Sequence, residues 1–338
     1  MTQSKNHKLA VIALGGNSLI QDEKHQSIQD QYKAACNTMV HVADMIEAGY
    51  NVVVTHGNGP QVGFILLRSE ISRSQIHGVP LDSCVADTQG AIGYNFQMAL
   101  SNELKNRGID KGVVTVVTQV LVDKDDPSFL KPTKPIGKFY SEADARERKE
   151  KEGWDIMEDS PSENAPSGRL TGIGASCAGT GRGWRRVVAS PLPVEIIEES
   201  AIKSLADNGF VIIAVGGGGI PVIRESNGNL KGIAAIIDKD YASALLASRL
   251  KADVFVISTA VEKAYMNFGK PDQKAIDKVS AAELAKYVSE GHFKAGSMLP
   301  KCKAVLNYLR EGGKHAIITN PENLARAVKG LAGTHVHS

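Results

Sequence analysis

Two kinds of residue in this chain occupy positions where backbone physics either disfavours them or has a special use for them. Both point to bound phosphate. Glycines gather immediately after short β-branched runs: Gly15-Gly16-Asn17 after LAVIAL, Gly57-Asn58-Gly59 after VVVTH, and Gly216 to Gly219 after VIIAV. Without a Cβ, successive N–H groups can converge on an anion, and helix N-termini just downstream add positive potential. One such cluster is more often a plain turn, but three in matching positions predict a polyphosphate ligand. Lysines supply the second clue. Lys239 lies in Asp238-Lys239-Asp240 at the predicted start of one helix, and Lys301 lies one turn after Ser297 at the start of another. A cation there faces the positive end of the helix dipole, at a cost on the order of 0.3 to 1 kcal/mol that a bound anion removes. Asp238 and Asp240 flank Lys239 and are able to hold it charged and aimed. Lys134 sits between Pro132 and Pro135, which restrict the backbone on both sides. Taken singly, each lysine would as readily reach into solvent.

The elements that must position these residues alternate in type. Short apolar runs at 9–14, 52–55, 113–122, 211–215, 253–258 and 315–319 are separated by stretches of helical period, the pattern of βαβ units around a mostly parallel sheet. Ile28, Tyr32, Ala35, Met39, Val42 and Ile46 recur at helical spacing before Gly49, a C′ glycine. Further helices are predicted from Asp238, Ser280 and Ser297, each with an N-capping residue type. The glycine clusters therefore fall at carboxyl ends of strands, the edge where open α/β sheets bind ligands. The whole chain, 1–338, reads as one domain, with an excursion at 131–186 rich in Lys, Glu, Pro, Gly and Ser that predicts a lid or small subdomain. Within it, 160–180 reads as a flexible loop, because it has too little apolar surface to offset the entropy of ordering.

Composition and missing motifs narrow the reading. There is no GxxxxGK[ST] phosphate loop, the 57–63 run is out of register for a dinucleotide fingerprint, and no GxSxG elbow is present. A balance of 39 Lys plus Arg against 37 Asp plus Glu gives +2 and no electrostatic footprint for nucleic acid or an anionic membrane. No apolar stretch is long enough for a membrane span, no secretory leader is indicated, and four scattered cysteines fit a reduced compartment, so a cytoplasmic protein is expected. His335 and His337 alternate on one strand face, but without a third ligand they read as ordinary strand residues, and no metal ligand is predicted. His56 and His292 read as packing or hydrogen-bonding residues, Trp154 and Trp184 as packing within the excursion.

Taken together, ALGGNSL, VVVTHGNGPQVG, TQGAIGY, PTKPIGKFY, GRGWRRVVASP, GGGGIPVIRE, AIIDKDYAS, NFGKPDQK and GHFKAGSMLPK resemble, nearly end to end, the carbamate kinases of the amino-acid kinase superfamily. The resemblance implies a three-layer αβα sandwich on a mainly parallel, eight-stranded open sheet, a protruding lid subdomain, and a homodimer. The implied reaction is reversible phosphoryl transfer between ATP and carbamate, giving ADP and carbamoyl phosphate, in the direction of ATP synthesis during arginine or carbamoyl catabolism. Mg²⁺ would be held mainly by the nucleotide phosphates. Carried over residue by residue, Gly15, Gly16 and Asn17 would contact the transferring phosphoryl group, and Gly57, Asn58 and Gly59 would cradle carbamate. Lys134 would close over the substrate, Lys239 and Lys301 would stabilise phosphates, and Asp240 would orient the lysines. Gly217 and Gly218 would line the nucleotide side, with adenine and ribose near Thr259, Ala260, Val261, Tyr265, Asn267 and Met298. Two departures stand out: the 160–180 insert, and Glu262 where the family often has aspartate. A catalytically impaired nucleotide-binding relative, or a kinase of another small carboxylate, is the alternative.

Overall fold

The computed structural model describes residues 8–15, 19–20, 24–159 and 183–338. Gly16, Asn17 and the 160–180 insert lie outside them. The central sheet has eight strands, in chain order β1 (Lys8–Leu14), β2 (Tyr50–His56), β3 (Val113–Thr115), β4 (Val211–Ile213), β5 (Val254–Ser258), β6 (Lys278–Ser280), β7 (His315–Thr319) and β8 (Thr334–His337). Across the sheet they run β6-β8-β7-β5-β1-β2-β4-β3, and every pairing is parallel except β7 with β8. The chain builds outward from β1 through β2 to the edge strand β3, inserts β4 between β2 and β3, then returns to lay β5 on β1's other side. That reversal opens a crevice at the carboxyl ends of β1 and β5.

Because strand side chains alternate, β1 buries Val11 and Ala13 on one face and Ala10, Ile12 and Leu14 on the other. Helices α1 (Ile28–Glu47) and α3 (Leu81–Asn106) cover the second face with Ala35, Met39, Ile92, Phe96 and Leu100. Helices α4 (Lys239–Arg249) and α5 (Met298–Arg310) cover the first with Ala242, Leu246, Val305 and Tyr308. A sheet apolar on both faces must be sandwiched in this way. The α1 start is fixed by a reciprocal box between Ser27 and Asp30, and its end by Gly49 at φ 91°.

Two expectations change. The run 113–122 is not one strand: it breaks after β3, and Gln119–Val122 joins a second, four-stranded sheet with Pro193–Ile196, Ile220–Arg224 and Leu230–Gly232. The predicted strand at 211–215 ends at Ile213, because Val215 adopts a left-handed φ of 52°. In the excursion, strands Lys134–Tyr140, Gly183–Val188 and Asp155–Asp159 form an antiparallel sheet, with helix Glu142–Glu152 packed on it through Ala145. Its small core is aromatic: Tyr140 and Trp154 meet edge to face at 5.5 Å, and the Arg186 guanidinium lies 4.9 Å above the Trp154 ring.

Candidate functional site

The three glycine turns end the adjacent strands β1, β2 and β4, so the sheet itself gathers them. Gly57 N–H donates to the Leu14 carbonyl, which ties the second turn to the first. Asn58 precedes the first residue of α2 (Gly59–Ser72) but does not cap it; its Nδ2 instead donates to Thr88 Oγ1 at 2.9 Å. No side chain therefore caps the first turn of α2, which sets the positive end of the helix dipole at the carboxyl end of β2. At the Gly216 run the role of glycine is close approach. A Cβ on Gly217 would fall 2.3 Å from Asn58 Nδ2, and one on Gly218 would fall 2.4 Å from the Ile237 carbonyl, with φ of 67° and 94°. No other residue fits there. Two expectations about amides are corrected. Gly57, Gly218 and Gly219 direct their N–H groups to protein carbonyls, and a helix follows directly at Gly59 but not at Gly216–Gly218, where a short 3₁₀ turn leads into a strand.

The lysines converge. Asp240, buried at the start of α4, meets Lys239 Nζ at 3.0 Å through Oδ1 and Lys301 Nζ at 2.8 Å through Oδ2. Burial alone would raise this carboxyl, but the two ammonium groups hold it well below the usual carboxylate range. Burial and the neighbouring Lys301 charge lower the Lys239 pKa, against the pull of Asp240. The Lys239–Asp240 contact is bent out of hydrogen-bond alignment, so Lys239 Nζ and Asp240 Oδ1 are both buried with no hydrogen-bond partner. One carboxylate is thus shared by two buried ammonium groups, a charge balance that a further anion would complete. Asp238 caps α4 by accepting from Asp240 N–H with one oxygen, while the other accepts from Lys134 Nζ at 2.9 Å. Lys134 begins the first strand of the protruding sheet, so this ion pair joins that sheet to the helix bearing Lys239. Three lysines against two aspartates leave one positive charge. Ser297, unlike Asp238, makes no side-chain cap on its helix.

The residues proposed for the nucleotide lie on the far side of β1. A Cβ on Gly15 would touch the Ser258 carbonyl at 3.1 Å and approach Thr259 Cα at 4.0 Å, so Gly15 lies against the end of β5, where Thr259, Ala260 and Val261 follow in sequence. Tyr265 lies in the hairpin strand Ala264–Met266, its ring 5.7 Å from Phe268. Asn267, at φ 50°, has both ends of its amide engaged: Nδ2 donates to Asp272 in the same loop and Oδ1 accepts from the distant His292 Nδ1. Met298 opens α5, one turn before Lys301.

Three buried polar residues that support the site were missed from sequence. Gln89, 1% exposed in the middle of α3, donates to the carbonyls of Thr118 and Gly216 and accepts from Thr118 N–H. Thr118 Oγ1 in turn accepts from Val215 N–H at 3.0 Å, holding that β-branched residue in its unfavourable conformation. Thr88 receives Asn58. The available signal was the polar pair Thr88-Gln89 inside an otherwise apolar helix face. His56 is fully buried, its Nδ1–H donating to the Gly57 carbonyl, its ring edge-on to Phe96 at 5.6 Å.

Comparison with known proteins agrees with this architecture. The chain is 48% identical to a carbamate kinase-like protein, YahI, of Escherichia coli, over 97% of this chain and 98% of that one. It is 45% identical to a carbamate kinase of Thermococcus kodakarensis, over 97% of this chain and 99% of that one. Among solved structures, carbamate kinase from Giardia lamblia bound to AMP-PNP superposes with a TM-score of 0.87 at 37% identity, covering 98% of this chain and 99% of that one. The family model described as the amino acid kinase family matches residues 8–320, and the chain belongs to that family.

Proposed function

We propose that this protein is a carbamate kinase that transfers a phosphoryl group reversibly between ATP and carbamate. The observation that carries the reading is the buried Lys239–Asp240–Lys301 group at the mouth of the glycine turns, with an ammonium that has no hydrogen-bond partner. The names of the 44–48% identical relatives support carbamate as acceptor. Carbamate is already an anion at neutral pH, so its oxygen attacks phosphorus with no base to deprotonate it. The obstacle is repulsion between anions. Lys239 and Lys301, oriented by Asp240, neutralise the phosphoryl oxygens, the first turn of α2 offers N–H groups to the acceptor, and Lys134 closes over it from the protruding sheet. Gly15, Gly16 and Asn17 are assigned to the transferring group, and Thr259, Ala260, Val261, Tyr265 and Met298 to the nucleoside. Asn267 shapes the loop beneath it, and Gly217 and Gly218 permit the turns to close.

Mg²⁺ accompanies the nucleotide. Asp238 and Asp240 are both engaged by lysines, which fits an ion carried chiefly by phosphate oxygens and water, where it neutralises and orients the phosphates. We further read the chain as a single 1–338 domain with a lid at 131–186, acting as a cytoplasmic homodimer toward ATP synthesis; sedimentation at twice the 36.1 kDa chain mass checks the dimer. No helix among the described residues is long and apolar enough to cross a membrane.

Incubation with MgADP and carbamoyl phosphate yields ATP, read by a coupled assay. The forward assay compares carbamate with acetate and other small carboxylates, because one relative is named only carbamate kinase-like. A folded sample that makes no ATP, or that prefers another carboxylate, overturns the assignment.

A further inference from the structure

At the opposite edge of the sheet from the glycine turns, β7 and β8 bring three histidines to one face. His315, the first residue of β7, pairs directly with His337 of β8, and His335 lies two residues back on the same side of β8. Val336 between them points into the core. One ligand nitrogen from each histidine lies within 4.8 Å of the other two. Among the described residues, these three are the one group of His, Cys, Asp or Glu close enough to share an ion.

The hydrogen bonds define which nitrogens are free. His335 Nε2 is 2.9 Å from the Ala332 carbonyl, which can only accept, so Nε2 carries the proton and Nδ1 presents its lone pair. His315 Nε2 lies 2.9 Å from that Nδ1 and is the donor of the shared hydrogen bond. Two imidazole nitrogens sharing one proton are arranged to share a metal ion instead: the His315 proton moves to Nδ1 as the tautomer changes, and Nε2 becomes a ligand. The Ala332 carbonyl already supplies the outer contact that a metal-bound histidine needs on its second nitrogen. His337 stacks on His315 with centroids 4.5 Å apart and must turn to bring its nitrogen in. A tetrahedral zinc site with Zn–N near 2.0 to 2.1 Å sets its nitrogens about 3.4 Å apart, so the His315–His335 pair, at 2.9 Å, opens by about half an ångström while the His337 ring turns in.

We propose that His315, His335 and His337 form a binding site for a borderline divalent cation of the Zn²⁺ type, remote from the phosphate crevice. The remaining position faces a cleft of about 540 Å³, rimmed by Lys263, Lys278, Lys329 and Asp277. Asp277 is held by Lys263 at 2.6 Å, so the fourth ligand is water or an inorganic anion, which the rim lysines favour. Three imidazoles select Zn²⁺, Ni²⁺, Cu²⁺ or Co²⁺ over the oxygen-seeking Mg²⁺ and Ca²⁺. The ion ties β8 to β7 and so fastens the carboxyl-terminal strand into the sheet.

The test uses the untagged full chain, stripped with a chelator and free of nucleotide, titrated with Co²⁺ by absorption and with Zn²⁺ by calorimetry. The expected result is saturation at one equivalent, the visible bands of four-coordinate Co²⁺, and a raised Tm with Zn²⁺. H337Q and H315Q each weaken binding at least about tenfold, while turnover stays within about twofold of the parent and shows that the variants fold. If H315Q fails to fold, H337Q, at the half-exposed strand end, decides alone. No saturable binding, or one equivalent bound unchanged in H337Q, overturns the proposal.

Discussion

At the scale of single residues, the decisive feature is a carboxylate that serves lysines instead of solvent. Asp240 is only 3% exposed, and its two oxygens are divided between Lys239 and Lys301. Removing its charge strands two nearly buried ammonium groups, so D240N loses stability by about 3 kcal/mol, read as a lowered denaturant midpoint. K239A and K301A are expected to act on the reaction instead, each lowering kcat by about 10² to 10³ at nearly native stability, as loss of a charge-stabilising donor does. Variants with native turnover would remove the lysines from the chemistry. These lysines and Asp240 were legible in the sequence because a cation at a helix start is locally unfavourable. Their union on one carboxylate was implied only by the family resemblance and not by local pattern, since Asp240 and Lys301 are brought together by α4 packing against α5.

At the scale of elements, the site is made by strand ends held in register from behind. Gln89 reaches from α3 to two carbonyls and one N–H where the chain leaves β3 and β4, and these bonds stop both strands short of their apolar runs. Q89A leaves those buried backbone groups unpaired, at about 1 to 3 kcal/mol, and frees the Gly216 turn. Turnover and thermal midpoint should therefore fall together, and Q89E, which keeps shape but loses the donors, should rescue neither. If Q89A unfolds and reacts like the parent, the turn is positioned by something else. Apolar periodicity from Ile28 to Ile46, with Gly49 at the end, predicted α1 almost to the residue; its Ser27 cap came from the structure. It overextended the strands at 113–122 and 211–215 because a hydrophobic run reports burial, whereas the end of a strand depends on which distant group takes its hydrogen bonds.

At the scale of the whole molecule, buried neutral histidines couple folding to pH. Burial, aided by the nearby Lys239 charge and opposed by the Gly57 carbonyl bond, holds His56 down to about 4 from 6.5. Unfolded, the ring takes a proton below 6.5; folded, it stays neutral until about 4. Stability is therefore complete above pH 6.5, falls as pH drops from 6.5 to 4, and levels below that, a loss on the order of 3 kcal/mol from this residue. His315, held to about 4 by burial beside His337 and His335, adds to the same slope. Urea unfolding at successive pH values, with H56Q alongside, checks the share of His56; identical slopes would refute it. By itself the sequence determined the class of fold, the glycine turns at strand ends and the lysines of the site, because these follow from local periodicity and from residues in locally costly places. Only tertiary structure decided how Asp240 divides its two oxygens between the lysines, that Lys134 is tied to Asp238, that Gln89 ends two strands, and that His315 lies beside His335 and His337. Each of these joins residues far apart in the chain, and a pattern read along the chain carries no record of which distant partner a side chain meets.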